Sequence, residues 1–303
     1  VAWIAKEIGC VKASFHKGRL GVRLASTPKD LISCQALRHA CFFDVPGVDA
    51  DAYDPLCQHV MIDGEIGLIG TCRVMILPNG AALKKSYTAS AYDLSPLAAY
   101  ARPVMEVGRF CAVPGATTDV LRLAWGALTG FVDAEGIGLL IGCSSFAGAD
   151  PARHGAALAL LGQHHRGPAQ MLPGVKAAQV TSLDGPVPDR RAALAGLPPL
   201  LRSYLGLGGW VGDHAVVDLV MDTVHVFTAL AVDAVPPARA RALRALGGRF
   251  AVRGADASGR GVLGNMMCGS AASLCRLPPC MGGLRLWRVN RSIRHGNQTP
   301  QYF

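Results

Sequence analysis

Charge is scarce along this chain. Only 17% of its 303 residues are charged while half are hydrophobic, which excludes an intrinsically disordered protein and supplies apolar material for one large core or two modest ones. The formal charge of +9 is concentrated at the ends: residues 1–20 carry a net +3, residues 251–303 a net +6, and the stretch between them is neutral. A nucleic-acid-binding domain needs lysines and arginines clustered on its own folded surface to displace counterions, so no nucleic-acid partner is expected. The basic flanks suit solvated tails, an anionic membrane surface or an acidic protein partner.

Other features are missing too. The ten cysteines form no C-x-x-C pair. Cys72, Cys111 and Cys143 sit in apolar runs as small core residues of a reducing compartment, and neither Cys268, Cys275 and Cys280 nor His154, His164 and His165 bring a ligand set, so no metal is expected. The most apolar region, VLRLAWGALTGFVDAEGIGLLIGC, is broken by Arg122, Asp133 and Glu135 before it reaches spanning length. VAWIAKEIGC carries charges inside what would be the apolar segment of a signal peptide. The expected location is therefore cytoplasmic, with peripheral contact at the inner membrane open to the basic flanks.

What is present alternates. LGVRLA reads as a strand, and STPKD starts a helix, with Ser26 or Thr27 as cap and Pro28 in the first turn. An acidic loop with Asp49, Asp51 and Asp54 follows, then CQHVMID and GLIGTCRVMIL as an antiparallel pair. VMEVGRFCAVP predicts a strand from residue 104, leading into a helix at Thr117 or Thr118; IGLLIGCSSF predicts a buried strand, and DPARHGAALALLGQHH a helix capped by Asp150. Residues 167–196 read as a surface excursion, LPPLLRSYLGLGGW as a short helix, and HAVVDLV with VHVFTALAVD as a closing hairpin. This order predicts an α/β fold with a mixed central sheet, parallel at its centre and flanked by helices. The domain is expected at 20–250, between a basic N-terminal extension (1–19) and a Gly/Arg-rich, poorly ordered extension (251–303).

With EVGRF leading into a long helix, the order resembles the GNAT N-acyltransferase fold. QALRHACFF, DADAYDPLCQHVMI, VGRFCAV, GCSSFAGADPARHGAALALL and LPPLLRSYLGLGGWVG resemble, in the same order, the bacterial ornithine N-acyltransferases, a family often called hemolysin-like. The resemblance implies transfer of a 3-hydroxyacyl chain from acyl carrier protein to the α-amine of ornithine, the first step of ornithine lipid synthesis. An acyl-homoserine lactone synthase, which shares the E-x-x-R-F pattern, another amine acyltransferase, or a catalytically silent GNAT-like module that binds lipid or an acidic partner is the alternative.

The junction AVPGATTDV has its own bearing on the donor. One glycine with Thr117 and Thr118 at a helix start suits the single phosphate of a carrier protein's acyl-phosphopantetheine better than a pyrophosphate. No cofactor is otherwise expected. An amine that attacks a thioester must first lose a proton, and Glu106 is the expected group to take it. In a regular strand Gly108 shares its face and leaves room for the acyl arm, while Arg109 points the other way and anchors the strand or meets a residue of the acidic loop. Arg73 on the neighbouring strand is expected to meet the thioester or the acceptor carboxylate, or to balance Glu106. Arg38 lies in the first helix, beside the acceptor site that the resemblance implies. Asp49, Asp51 and Asp54 are candidates to attract the cationic side chain of the acceptor, against the plainer reading of a solvated loop.

Overall fold

A computed structural model describes residues 14–250 apart from 44, 46, 188, 248 and 249. The expected C-terminal extension and most of the N-terminal one lie outside the described residues. The strands are β1 (Ser14–Lys17), β2 (Leu20–Leu24), β3 (Gln58–Gly64), β4 (Gly67–Leu77), β5 (Tyr92–Asp93), β6 (Val104–Ala112), β7 (Leu139–Ala147), β8 (Gly174–Val175), β9 (Val180–Ser182), β10 (Trp210–Asp218) and β11 (Thr223–Ala231). Nine of them form one sheet in the order β1-β2-β3-β4-β6-β7-β11-β10-β9, and β5 pairs with β8 apart from it. The central β6–β7 pair is parallel and the other pairings are antiparallel. The helices are α1 (Pro28–Phe42), α2 (Thr88–Ala91), α3 (Thr117–Glu135), α4 (Gly155–His164), α5 (Arg190–Ala195), α6 (Pro199–Gly206) and α7 (Pro237–Gly247).

Local chemistry explains the long helices. Thr27 closes a capping box with Asp30, and Pro28 fills the first turn of α1. Gly136 ends α3 in the left-handed conformation, where a side chain would clash with the backbone. Val120, Leu123, Ala127, Leu128 and Phe131 of α3 are sealed against one face of the sheet with Val22, Val60, Ile62 and Phe110. Met75, Leu83, Tyr92, Leu97, Ile141 and Phe227 build the core on the other face, under α2 and the turns around it. Three elements exceed what periodicity announced. β1 lies inside the expected N-terminal extension; β9, within the expected excursion, forms a sheet edge; α7 packs on α3, where a Cβ at Gly247 would lie 2.1 Å from the carbonyl oxygen of Gly126.

Two irregularities position the site. Arg73 pairs with Gly108 but Thr71 pairs with Cys111, so β6 carries one extra residue, a β-bulge, and Arg109 takes it up at φ +52°. Next to the bulge, β6 and β7 pair only from Val104 to Glu106 against Leu139 to Ile141 and then part. At the fork a Cβ on Gly142 would sit 2.5 Å from the Val107 carbonyl oxygen, so only glycine lets the strands approach before they separate.

Candidate active site

The fork opens into a cleft that is open in part to solvent. β6 contributes Glu106, Gly108 and Arg109, β7 contributes Cys143 and Ser145, and the β10–β11 hairpin contributes Asp218, Thr223 and His225. Arg73 and Tyr87 line it from the β4 side.

Glu106 is 4% exposed, and its carboxylate accepts the backbone N–H of Tyr87 at 2.9 Å and of Thr88 at 2.6 Å. It thus anchors the start of α2, and no arginine among the described residues seals it. A carboxylate has about four lone-pair positions, so two remain for a substrate amine or a water. Cys143 stands nearby, but burial, followed by the negative charge of Glu106, pushes its thiol up to about 12, which leaves it protonated and a poor nucleophile.

Arg109 meets the acidic loop as expected, but from an unexpected face, and the other arginines depart from the expectation. Regular alternation would send Arg109 to the face opposite Glu106; the bulge brings it to the cleft, with its guanidinium over the Tyr87 ring at 4.9 Å and 3.1 Å from Asp49 Oδ2. Arg73 does not balance Glu106. It donates to Asp51 at 2.6 Å and Asp54 at 2.8 Å, and Nη2, the other end of its fork, is buried with no hydrogen-bond partner among the described residues. Arg38 is neither a surface residue nor within reach of a substrate: at 1% exposure it is held by Asp49 and by both oxygens of Asp54. Asp49, Asp51 and Asp54 are accordingly spent on Arg38, Arg73 and Arg109, so neither a solvated loop nor an acceptor cation describes them. The sequence separations of these pairs, 11 to 60 residues, hid the network from any local pattern.

Thr117 and Thr118 open α3, but neither lines the cleft. The N-cap is Ala116, and no side chain caps the helix, so these threonines do not cap it either.

The wall facing Glu106 was not legible as a site. His225 is 4% exposed, and Tyr92 Oη donates to its carbonyl oxygen at 2.8 Å. The phenol has one proton, so its 3.2 Å contact with His225 Nδ1 is N–H to phenol oxygen, which leaves Nε2 with the lone pair. Burial lowers the imidazole to about 4, so it is neutral at pH 7. The apolar run VHVFTALAV announced the strand correctly but could not say that His225 faces the cleft.

Among the described residues there is no group of histidine, cysteine, aspartate and glutamate that could hold a metal ion, and no helix is long and apolar enough to cross a membrane.

Comparison with known proteins gives this geometry a family. The family described as an acetyltransferase (GNAT) domain matches residues 35–125, which run from α1 through the bulge into α3. The L-ornithine N(alpha)-acyltransferase of Rhodobacter capsulatus is 34% identical over 225 residues, covering 68% of this chain and 87% of that protein. The Brucella abortus protein of the same name is 30% identical over 243 residues, covering 71% and 85%. Among solved structures, FeeM, an N-acyl amino acid synthase from uncultured soil microbes, aligns with 71% of this chain and 93% of its own at a TM-score of 0.37 and 11% identity. On the identity and coverage of these relatives, the chain belongs to the L-ornithine N(alpha)-acyltransferase family and is an acyltransferase of the GNAT fold.

Proposed function

We propose that the chain transfers a 3-hydroxyacyl group from acyl carrier protein to the α-amine of ornithine, giving a lyso-ornithine lipid. The observation that carries the reading is the fork of β6 and β7 with the Glu106 carboxylate beside it, lining a cleft that holds no activated nucleophile of its own. The relatives named above supply ornithine as the acceptor by analogy.

Beyond Glu106 the edge of β6 that faces β7 is free of ladder pairing, and the amides of a phosphopantetheine arm can hydrogen-bond to such an edge. Gly108 keeps the passage narrow in side chains; Thr117, Thr118 and the uncapped amides of the first turn of α3 suit one phosphate. The acceptor arrives as an ammonium. Glu106, directly or through a water, takes one proton, and the neutral amine attacks the thioester carbon. The N–C bond forms, the C–S bond breaks, and the second amine proton leaves with the thiolate as a thiol. An amine and a thioester suffice for this step without a resident cofactor. Arg109, which lines the cleft with its guanidinium over the Tyr87 ring, offers charge to the acceptor's α-carboxylate, and Arg73 adds its charge from behind. Arg38, Asp49 and Asp51 serve by holding these two arginines in place. An acidic carrier protein, or an anionic membrane at the cytoplasmic face that receives the amphiphilic product, complements the basic flanks.

The test is acyl transfer from 3-hydroxyacyl carrier protein to ornithine by the purified full chain, with Glu106→Gln in parallel. Product from the parent and at least about a hundredfold less from the variant is expected. A folded parent that acylates no amine would sink the reading.

A further inference from the structure

The carboxylates first expected to attract the acceptor's cation are consumed by arginines, which leaves open where a diamine acceptor would place its second ammonium. Two carboxylates line the cleft: Glu106 and Asp218. Asp218, the last residue of β10, uses one oxygen, Oδ1, to accept the backbone amides of Val220 and Met221, both at 3.0 Å, and it forms no ion pair among the described residues. Oδ2 accepts no hydrogen bond from them.

His225 lies beside it. Its Nε2 lone pair has no hydrogen-bond partner among the described residues and, unlike Nδ1 of His59 and Nε2 of His214, it is not sealed, so a side chain more than nine-tenths buried offers an acceptor into the cleft. His225 pairs with Ser145 across β11 and β7, which puts both side chains on one face of the sheet, and Ser145 also lines the cleft. The titratable neighbours of His225 are Asp218, whose charge favours its protonated form, and His214, which opposes it; burial outweighs both. A carboxylate oxygen, a neutral imidazole nitrogen and a hydroxyl all accept hydrogen bonds, and an alkylammonium carries three donors.

We propose that Asp218, His225 and Ser145 form a subsite for the side-chain ammonium of an α,ω-diamino acid, and so select the acceptor. The inference rests on the amine-acylation reading above. Glu106 pairs with Ile141, four residues before Ser145 on β7, so the two ends of the cleft are roughly 13 Å of strand apart before the side chains reach in. That spacing suits an acceptor with its α-amine at Glu106, its carboxylate towards Arg73 and Arg109, and a second amine a few methylenes on.

The experiment compares ornithine with norvaline, the same carbon chain without the δ-amine, using the parent, Asp218→Asn and His225→Asn. Asp218→Asn keeps an oxygen for the Val220 and Met221 amides, and His225→Asn keeps an N–H for Tyr92. The parent is expected to favour ornithine, and Asp218→Asn to lower kcat/KM for ornithine about tenfold or more with norvaline unchanged. His225→Asn is expected to erode the preference in the same direction. A preference left intact in Asp218→Asn, or an equal loss with both acceptors, overturns the subsite. Calorimetric titration of ornithine without donor separates this inference from the transfer reading. Weaker binding to Asp218→Asn than to the parent supports the subsite even if the parent transfers to neither acceptor, in which case the transfer reading alone falls. Equal binding to both, or no binding to the parent, overturns the subsite.

Discussion

The Glu106 carboxylate accepts the backbone N–H of Thr88 at 2.6 Å, so one residue both lines the cleft and anchors the chain that covers it. Chemistry and folding are therefore entangled at this position, and two substitutions separate them. Glu106→Ala removes the acceptor for both Thr88 and Tyr87 and leaves two N–H groups near the core, a loss of about 2–3 kcal/mol in chemical denaturation. Glu106→Gln keeps one oxygen and is expected to lose less stability while its kcat falls about as far as that of the alanine variant. Equal stability of the two variants would show that the backbone bonds contribute nothing.

Asp54 is the hub of the buried network. It is 3% exposed and accepts from Gln35, Arg38 and Arg73. Burial by itself would raise its pKa; the hydrogen bonds from Arg38, Gln35 and Arg73, with the charge of Arg38, override that and hold it well below the usual carboxylate range. Its contribution to stability is present above the unfolded value of about 3.8 and is lost as pH falls through the lower folded value. Asp54→Asn strands two arginines and is expected to cost about 3–5 kcal/mol at pH 7. A melting temperature within a degree or two of the parent's would rule this out.

Arg109 sits at φ +52°, a conformation that disfavours any residue with a Cβ. Arg109→Gly and Arg109→Ala both delete the guanidinium contacts with Asp49 and Tyr87, but only glycine relieves the backbone. The glycine variant is expected to be more stable than the alanine variant by about 1 kcal/mol, the reverse of the order at an ordinary strand position. Matched urea denaturations of the two variants measure the strain held in the bulge.

His225 couples stability to pH. Its folded pKa, about 4, lies below the ordinary imidazole value of about 6.5, so between these values the unfolded chain binds a proton that the folded chain refuses. Stability thus rises with pH through that window and is lost as pH falls from 6.5 towards 4, by up to about 3 kcal/mol from this residue. His59, whose pKa burial also lowers, tilts the curve the same way, so the diagnostic quantity is the difference between parent and His225→Asn. The variant should lose less stability than the parent on going from pH 7 to pH 5; parallel curves would show that His225 is protonated normally.

The sequence by itself determined the elements and their order. A capping threonine three residues before an aspartate starts α1, and short apolar runs between turn residues mark β4, β6, β7 and β11, because each signal comes from residues a few positions apart whose geometry the backbone fixes locally. Partners across the chain were not legible. Arg38 finds Asp54, Arg73 finds Asp51 and His225 comes to share a cleft with Glu106 only when the strands assemble, since a charge or a lone pair acquires its role from whatever the fold sets opposite it. The bulge is the sharpest case: alternation assigns Arg109 to the face away from Glu106, and one extra residue in β6, defined solely by its register against β4, turns it into the cleft.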